Sequence, residues 1–241
     1  ALASLGSLVG SPLRDNDGTF FLAPLTADAV LVDREVHLGR NAGVLMALAR
    51  AAQERGAGRY QQWAGETGDA LLWRFYSSPD SLFVAGFASF AGPSSQGEAR
   101  SQAAPLGRGT VAPRDPSLYA SWNALTASAY VELFRAPGDR GHLALSRRVL
   151  NAMRRRMGGP DGGIRHEPEG PASTPPLLQD HALAARAALD LFAVEAREED
   201  LQFARGLADL MLRRFADDSG LLHAWPPTDE FRPATSPAVE E

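Results

Sequence analysis

Cysteine is absent from the 241 residues, and so is lysine: the 24 cationic side chains are all arginine. The first absence removes disulfides, thiolate nucleophiles and Cys-ligated metal sites, without fixing the compartment. The second, together with a single isoleucine (Ile164), fits the codon usage of a GC-rich genome better than selection for guanidinium chemistry. No apolar run approaches the roughly 18–20 residues that span a bilayer. The basic excess expected of a nucleic-acid-binding surface is missing too, because the formal charge is −5. What remains is 44% hydrophobic and 22% charged, the balance of a globular protein with enough length for a sizeable core.

A repeat fills that length. Asn41, Asn123 and His181 open three apolar-periodic segments, and Phe75, Met157 and Phe215 close three more. The first offset is 82 residues for both landmarks and the second is 58 for both. Equal offsets across both segments mean that a helical hairpin repeats as a unit, with length changes confined to the connections. The pattern predicts an all-α fold, an (α/α) hairpin toroid or an arc of one with about three hairpins, because a single hairpin cannot bury its own apolar face. A closed ring of six hairpins would need roughly twice this length.

Residues 1–33 read as an irregular N-terminal segment, and the hairpin domain as 34–225. Helices are expected over 34–55, 59–76, 117–135, 140–157, 177–195 and 198–215. Turn residues (Gly56 and Gly58, Ser77 to Asp80, Pro137 to Asp139) separate them. The stretch 92–116 is rich in Gly, Ser, Pro and Gln and reads as a loop insertion, since the repeat resumes in register beyond it. The tail 226–241 has four prolines and is expected to be extended. The apolar opening, residues 1–10, reads as the stub of a removed segment or as a chain end packed on the core.

Three strings carry a resemblance: SWNALTASAY at 121–130, LLQDHALAARAALDLF at 177–192 and RFYSSPDS at 74–81. They resemble a family that joins a thioredoxin-like domain to an (α/α) six-hairpin toroid, whose mammalian member is called spermatogenesis-associated. Ser121, Trp122 and Asn123 match a Ser-Trp-Asn-Gly string, with Ala124 in place of Gly. Leu178, Asp180 and Ala182 match a second string in which Gln179 and His181 replace an acid and a Tyr; Phe75, Tyr76, Ser77 and Asp80 match a third. The resemblance covers about residues 16–225 and includes neither the thioredoxin-like domain nor a Cys-x-x-Cys motif. The family's mouth string is eroded at 32–41: Glu35, Leu38 and Asn41 survive, while Asp33 and Arg40 stand where a His and an Asp would. Related toroids include glycosidases and sugar epimerases, so the resemblance implies a saccharide cleft in relatives and a worn version of it here.

The polar candidates are Glu35, Asn41, Trp122, Asn123, Asp180 and His181. At the starts of three inner helices they would converge on one mouth. There Glu35 and Asp180 could serve as an acid/base pair on a glycoside with Trp122 as a stacking face. Against this, Asn and Asp near helix starts serve as caps, and a Trp at helical spacing serves as core. The five histidines show no ligand spacing, so no metal is expected, and no Gly-rich cradle or nucleophile elbow calls for a cofactor. The arginines at 74, 147–148, 154–156 and 213–214 sit near outer-helix ends and read as complementing the helix dipole. The lead expectation is a non-catalytic toroid domain, a binding or scaffold subunit whose partner is another protein or the remainder of its own chain. The alternative is a carbohydrate-active enzyme, hydrolase or epimerase-like, using the acids at the mouth.

Overall fold

Apolar residues recurring every three to four positions give each long segment one buried stripe, and the stripes pair the segments into hairpins. The computed structural model describes residues 2–21, 23–24, 32–33, 35–54, 58–87, 114–136, 139–168 and 175–227. Among these, α2 (Leu38–Ala52) pairs with α3 (Gly58–Phe75), α4 (Ala120–Arg135) with α5 (Arg140–Arg156), and α6 (Leu178–Glu195) with α7 (Glu198–Phe215). The inner helices α2, α4 and α6 stand side by side with α4 central, and the outer helices cover their backs. Only small residues let α4 be packed on nearly every side: Ala120, Ser121, Ala124, Thr126, Ala127, Ser128 and Ala129 are all buried. The result is an arc of three (α/α) hairpins, as the repeat predicts.

The structure corrects several boundaries. The segment read as irregular begins with a helix, α1 (Leu2–Val9), that packs near α2. It is short, with no acidic residue in its first turn and no basic residue in its last to announce it. The first inner helix starts at Leu38 rather than 34, because residues 36–37 are spent on a strand. Most of the insertion, residues 88–113, and the tail from 228 lie outside the described residues.

Short strands stitch the mouth end, where inner helices begin and outer helices finish. β1 (Ala23–Pro24) pairs antiparallel with β2 (Val32–Asp33), and β4 (Tyr76–Ser77) with β5 (Leu82–Phe83). A three-stranded sheet runs in the order β3 (Val36–His37), β6 (Gly86–Phe87), β7 (Arg114–Asp115). Glycine is required at 86, where a Cβ would sit 2.7 Å from the Val36 carbonyl oxygen.

The equal offsets have a physical cause in one hydrogen-bonded clasp made three times. Each outer-helix end turns back through a bridge: Arg14 to Phe20, Tyr76 to Phe83, Gly158 to Ile164 and Ala216 to Leu222. The fourth residue of the next inner helix then seizes the returning backbone. Asn41 accepts from the Phe20 N–H at 2.7 Å and donates to the carbonyls of Phe20 and His37. Asn123 does the same with Phe83 and Tyr119, at nearly identical distances. His181 makes the reduced version, its Nε2 accepting from Ile164 N–H at 3.2 Å and its Nδ1 meeting the Leu177 carbonyl at 2.8 Å. The first N–H of each inner helix (Leu38, Ala120, Leu178) donates to the carbonyl of Ala85, His166 or Ala224.

Arginines bind the same joints from outside. Arg74 reaches Asp17, Arg156 reaches Asp80 and Arg214 reaches Asp161, each acid lying on the return of the preceding hairpin. The outer-helix cations therefore do more than complement a dipole: they bridge neighbouring hairpins.

Candidate functional site

The sheet β3–β6–β7 and the start of α4 enclose a cavity of about 300 Å³ at the mouth, lined by Glu35, His37, Ala85, Gly86, Phe87, Asp115, Tyr119 and Trp122. That is the lower end of the size range of small-molecule sites. Three separate segments supply the lining. Extended backbone at 35–37 alternates its side chains, so Val36 goes into the core while Glu35 and His37 share the opposite side. They are paired there, His37 Nε2 to Glu35 Oε2 at 3.2 Å, and each side chain is about one-third exposed. Asp115 accepts from the Ser117 N–H, which fixes its carboxylate at the end of β7.

A row of four rings crosses the mouth. His37 stacks on Trp122 at 5.8 Å, Trp122 meets Tyr119 edge-on at 4.9 Å, and Tyr119 stacks on His166 at 4.9 Å. Both ends of the row carry a carboxylate: Glu35 on His37, and Asp180 on His166 Nδ1 at 2.9 Å. Trp122 holds its place because residue 39 is glycine; a Cβ there would stand 2.8 Å from the indole.

The candidates read from the sequence separate into two groups. Glu35 and Trp122 line the cavity. Asn41, Asn123 and His181 are buried and spend their polar atoms on the clasps. These three are not helix caps: the residues before the inner helices, His37, Tyr119 and Leu177, make no side-chain cap bond. Asp180 caps a helix, but not its own. It is fully buried, and its Oδ1 accepts from the Ser121 N–H in the first turn of α4 while its Oδ2 holds His166. Trp122 and Asp180 are both third residues of inner helices, and each reaches over the start of the inner helix before it, Trp122 onto Gly39 and Asp180 onto Ser121.

Sequence reading passed over His37, Asp115, Tyr119 and His166. Histidines were tested for metal spacing alone, and among the described residues no group of His, Asp and Glu is placed to hold a metal ion. A signal was present, since Glu35 and His37 alternate on one strand face, and Tyr119 lies 82 residues after His37. A second cavity, of about 330 Å³, lies beside the first and is lined by Asp80, Pro116, Ser117, Leu118, Arg156, Glu167 and Pro168. The Ser77 hydroxyl and the Arg156 guanidinium hold the Asp80 carboxyl below the usual carboxylate range.

No protein-family profile matches the chain, and a search of curated proteins gives no match. Solved structures do match. A D-mannose isomerase superposes with a TM-score of 0.75 at 17% identity, over 93% of this chain and 55% of its own. The cellobiose 2-epimerase of Spirochaeta thermophila gives 0.65 at 17%, over 88% and 51%. The unsaturated glucuronyl hydrolase of Bacillus sp. GL1 gives 0.65 at 16%, over 91% and 57%. The fold is thus that of the six-hairpin (α/α) toroids, and the chain spans about half the length of these structures. No helix among the described residues is long and apolar enough to cross a membrane.

Proposed function

We propose that the mouth cavity binds a saccharide and that the protein acts on it by proton transfer, as a sugar epimerase, isomerase or hydrolase would. The observation that carries this reading is the His37–Glu35 pair on the wall of an aromatic-lined cavity with Asp115 opposite in the lining. An imidazole held by a carboxylate is the commonest proton-transfer group, worth 10²–10⁴-fold in rate. Glu35 orients His37, Trp122 and Tyr119 supply apolar ring faces for the C–H side of a sugar, and Asp115 accepts hydroxyl hydrogens. Asp180 acts from behind by fixing His166 and the first turn of α4. Sugar-acting neighbours weigh toward this reading over a scaffold role. The finer kinship with the thioredoxin-linked toroid family belongs to the same proposal and rests on Ser121-Trp122-Asn123 and Phe75-Tyr76-Ser77.

A panel of mono- and disaccharides, scored by thermal stabilisation, by Trp emission and by product analysis, tests the proposal. Stabilisation together with turnover that Glu35→Gln and Asp180→Asn abolish without unfolding is the expected result. No response across the panel would sink it. The binding-subunit reading keeps one specific observation, the exposed Leu212, Leu221, Leu222 and Trp225 at the α7 edge. Native mass spectrometry from the source, showing the chain held in a larger assembly, would favour it.

A further inference from the structure

The charge of the cavity lining narrows the ligand. Glu35 and Asp115 are acidic, His37 is the one lining side chain able to carry positive charge, and no arginine lines the cavity. Arginines stand close but face elsewhere. Arg114 precedes Asp115 on β7, so its side chain leaves the opposite side of the strand and meets the Phe75 carbonyl. Arg74 lies over the Phe87 ring at 5.2 Å, engaged by Asp15, Asp17 and Thr19. The walls between the acids are the rings of Phe87, Tyr119 and Trp122.

A ligand closing this cavity takes water from two carboxylates, and desolvated charges need a counter-charge. A neutral sugar brings none, and a uronic acid adds repulsion. An ammonium group compensates the acids and is attracted to the ring faces as well. We propose that the preferred ligand is an amino sugar carrying a free, protonated amine, with Asp115 and Glu35 as the groups that recognise the ammonium. This rests on the saccharide reading above and adds the charge of the substrate to it.

The test is titration calorimetry of the protein with glucosamine, glucose, N-acetylglucosamine and glucuronate at neutral pH, at low and at high salt. The expected order places glucosamine at least tenfold tighter than glucose and N-acetylglucosamine, with glucuronate weakest and the glucosamine advantage shrinking with salt. Asp115→Asn keeps an oxygen for the Ser117 N–H and so keeps the loop. It should erase most of the amine preference while leaving neutral-sugar binding within a few-fold. Equal binding of glucosamine and glucose, or tightest binding of glucuronate, overturns the ammonium inference and leaves the saccharide reading standing. Binding of none of the four, with none from the wider panel, overturns both.

Discussion

The inner helices have two ends, and the same residue types do different work at each. At the base, Glu132 on α4 is met by Arg50 and Gln53 from α2 and by Arg135 from its own helix. Nearby, Arg147 on α5 is buried between Glu195 and Asp200, with Arg154 and Arg197 adding to the acids. Burial raises the Glu132 carboxyl, but the Gln53 hydrogen bond and the Arg135 and Arg50 charges outweigh it and the net shift is downward. Burial likewise opposes the Arg147 charge, and Asp200 and Glu195 more than restore it. At the mouth, the acids facing the cavity or lying behind it are paired with imidazoles or with backbone N–H groups. Acid–guanidinium pairs close on themselves and lock hairpins together. Acid–imidazole pairs can gain or lose a proton near neutrality, which suits them to chemistry.

The strongest way to break the comparison is at the base. Arg147→Ala leaves Asp200, whose side chain is fully buried, with Arg154 at 3.5 Å as its remaining cation. Removing one partner of a buried pair costs about 3–5 kcal/mol, so chemical denaturation should show a loss near the lower figure. Saccharide binding by the folded fraction should be unchanged. A loss below about 1 kcal/mol would mean that the base network is not structural.

The clasps sharpen the comparison within the mouth itself. Asn123→Ala strands the N–H and carbonyl of Phe83, both buried, at an expected cost of about 2 kcal/mol in thermal or urea unfolding. His181→Asn should stay within about 1 kcal/mol of the parent, because an amide can make the two bonds of the imidazole and add the third that Asn41 and Asn123 make. A large loss in His181→Asn would point to the ring itself, packed 5.3 Å from Phe215, rather than to the hydrogen bonds.

This clasp explains what was legible in the sequence. Hairpins joined by one recurring set of bonds must keep Asn41, Asn123 and His181 in step with Phe75, Met157 and Phe215, so constant offsets were visible in one sequence. Their role was not. A polar residue four positions into a helix gives no sign of which distant backbone it grips, and capping was the nearer local explanation. The cavity was harder still. Glu35, Phe87, Asp115 and Trp122 come from segments far apart in the chain, brought together by two-residue strands too short for any periodicity. Helix α1 escaped because eight residues hold barely two turns of pattern.

The smallest expected effect separates rim from base by pH. Asp80, hydrogen-bonded by Ser77 and paired with Arg156, has a folded-state pKa below its unfolded one, and so does Glu132. A depressed carboxyl contributes stability that is present above the unfolded value, near pH 4, and lost as pH falls through the folded value. Asp80→Asn and Glu132→Gln should therefore each destabilise at pH 7 and each flatten the stability profile below about pH 4. The sizes should differ. The Asp80 and Arg156 side chains are both about 30% exposed, so water and salt screen them and a few tenths of a kcal/mol is expected. Glu132 is 7% exposed with three partners, and its loss should be several-fold larger. Unfolding at low and at 1 M salt decides it: the Asp80→Asn effect should vanish at high salt while that of Glu132→Gln persists. Equal salt sensitivity would mean that the base is as wet as the rim, and the contrast between the two ends would then rest on the imidazoles alone.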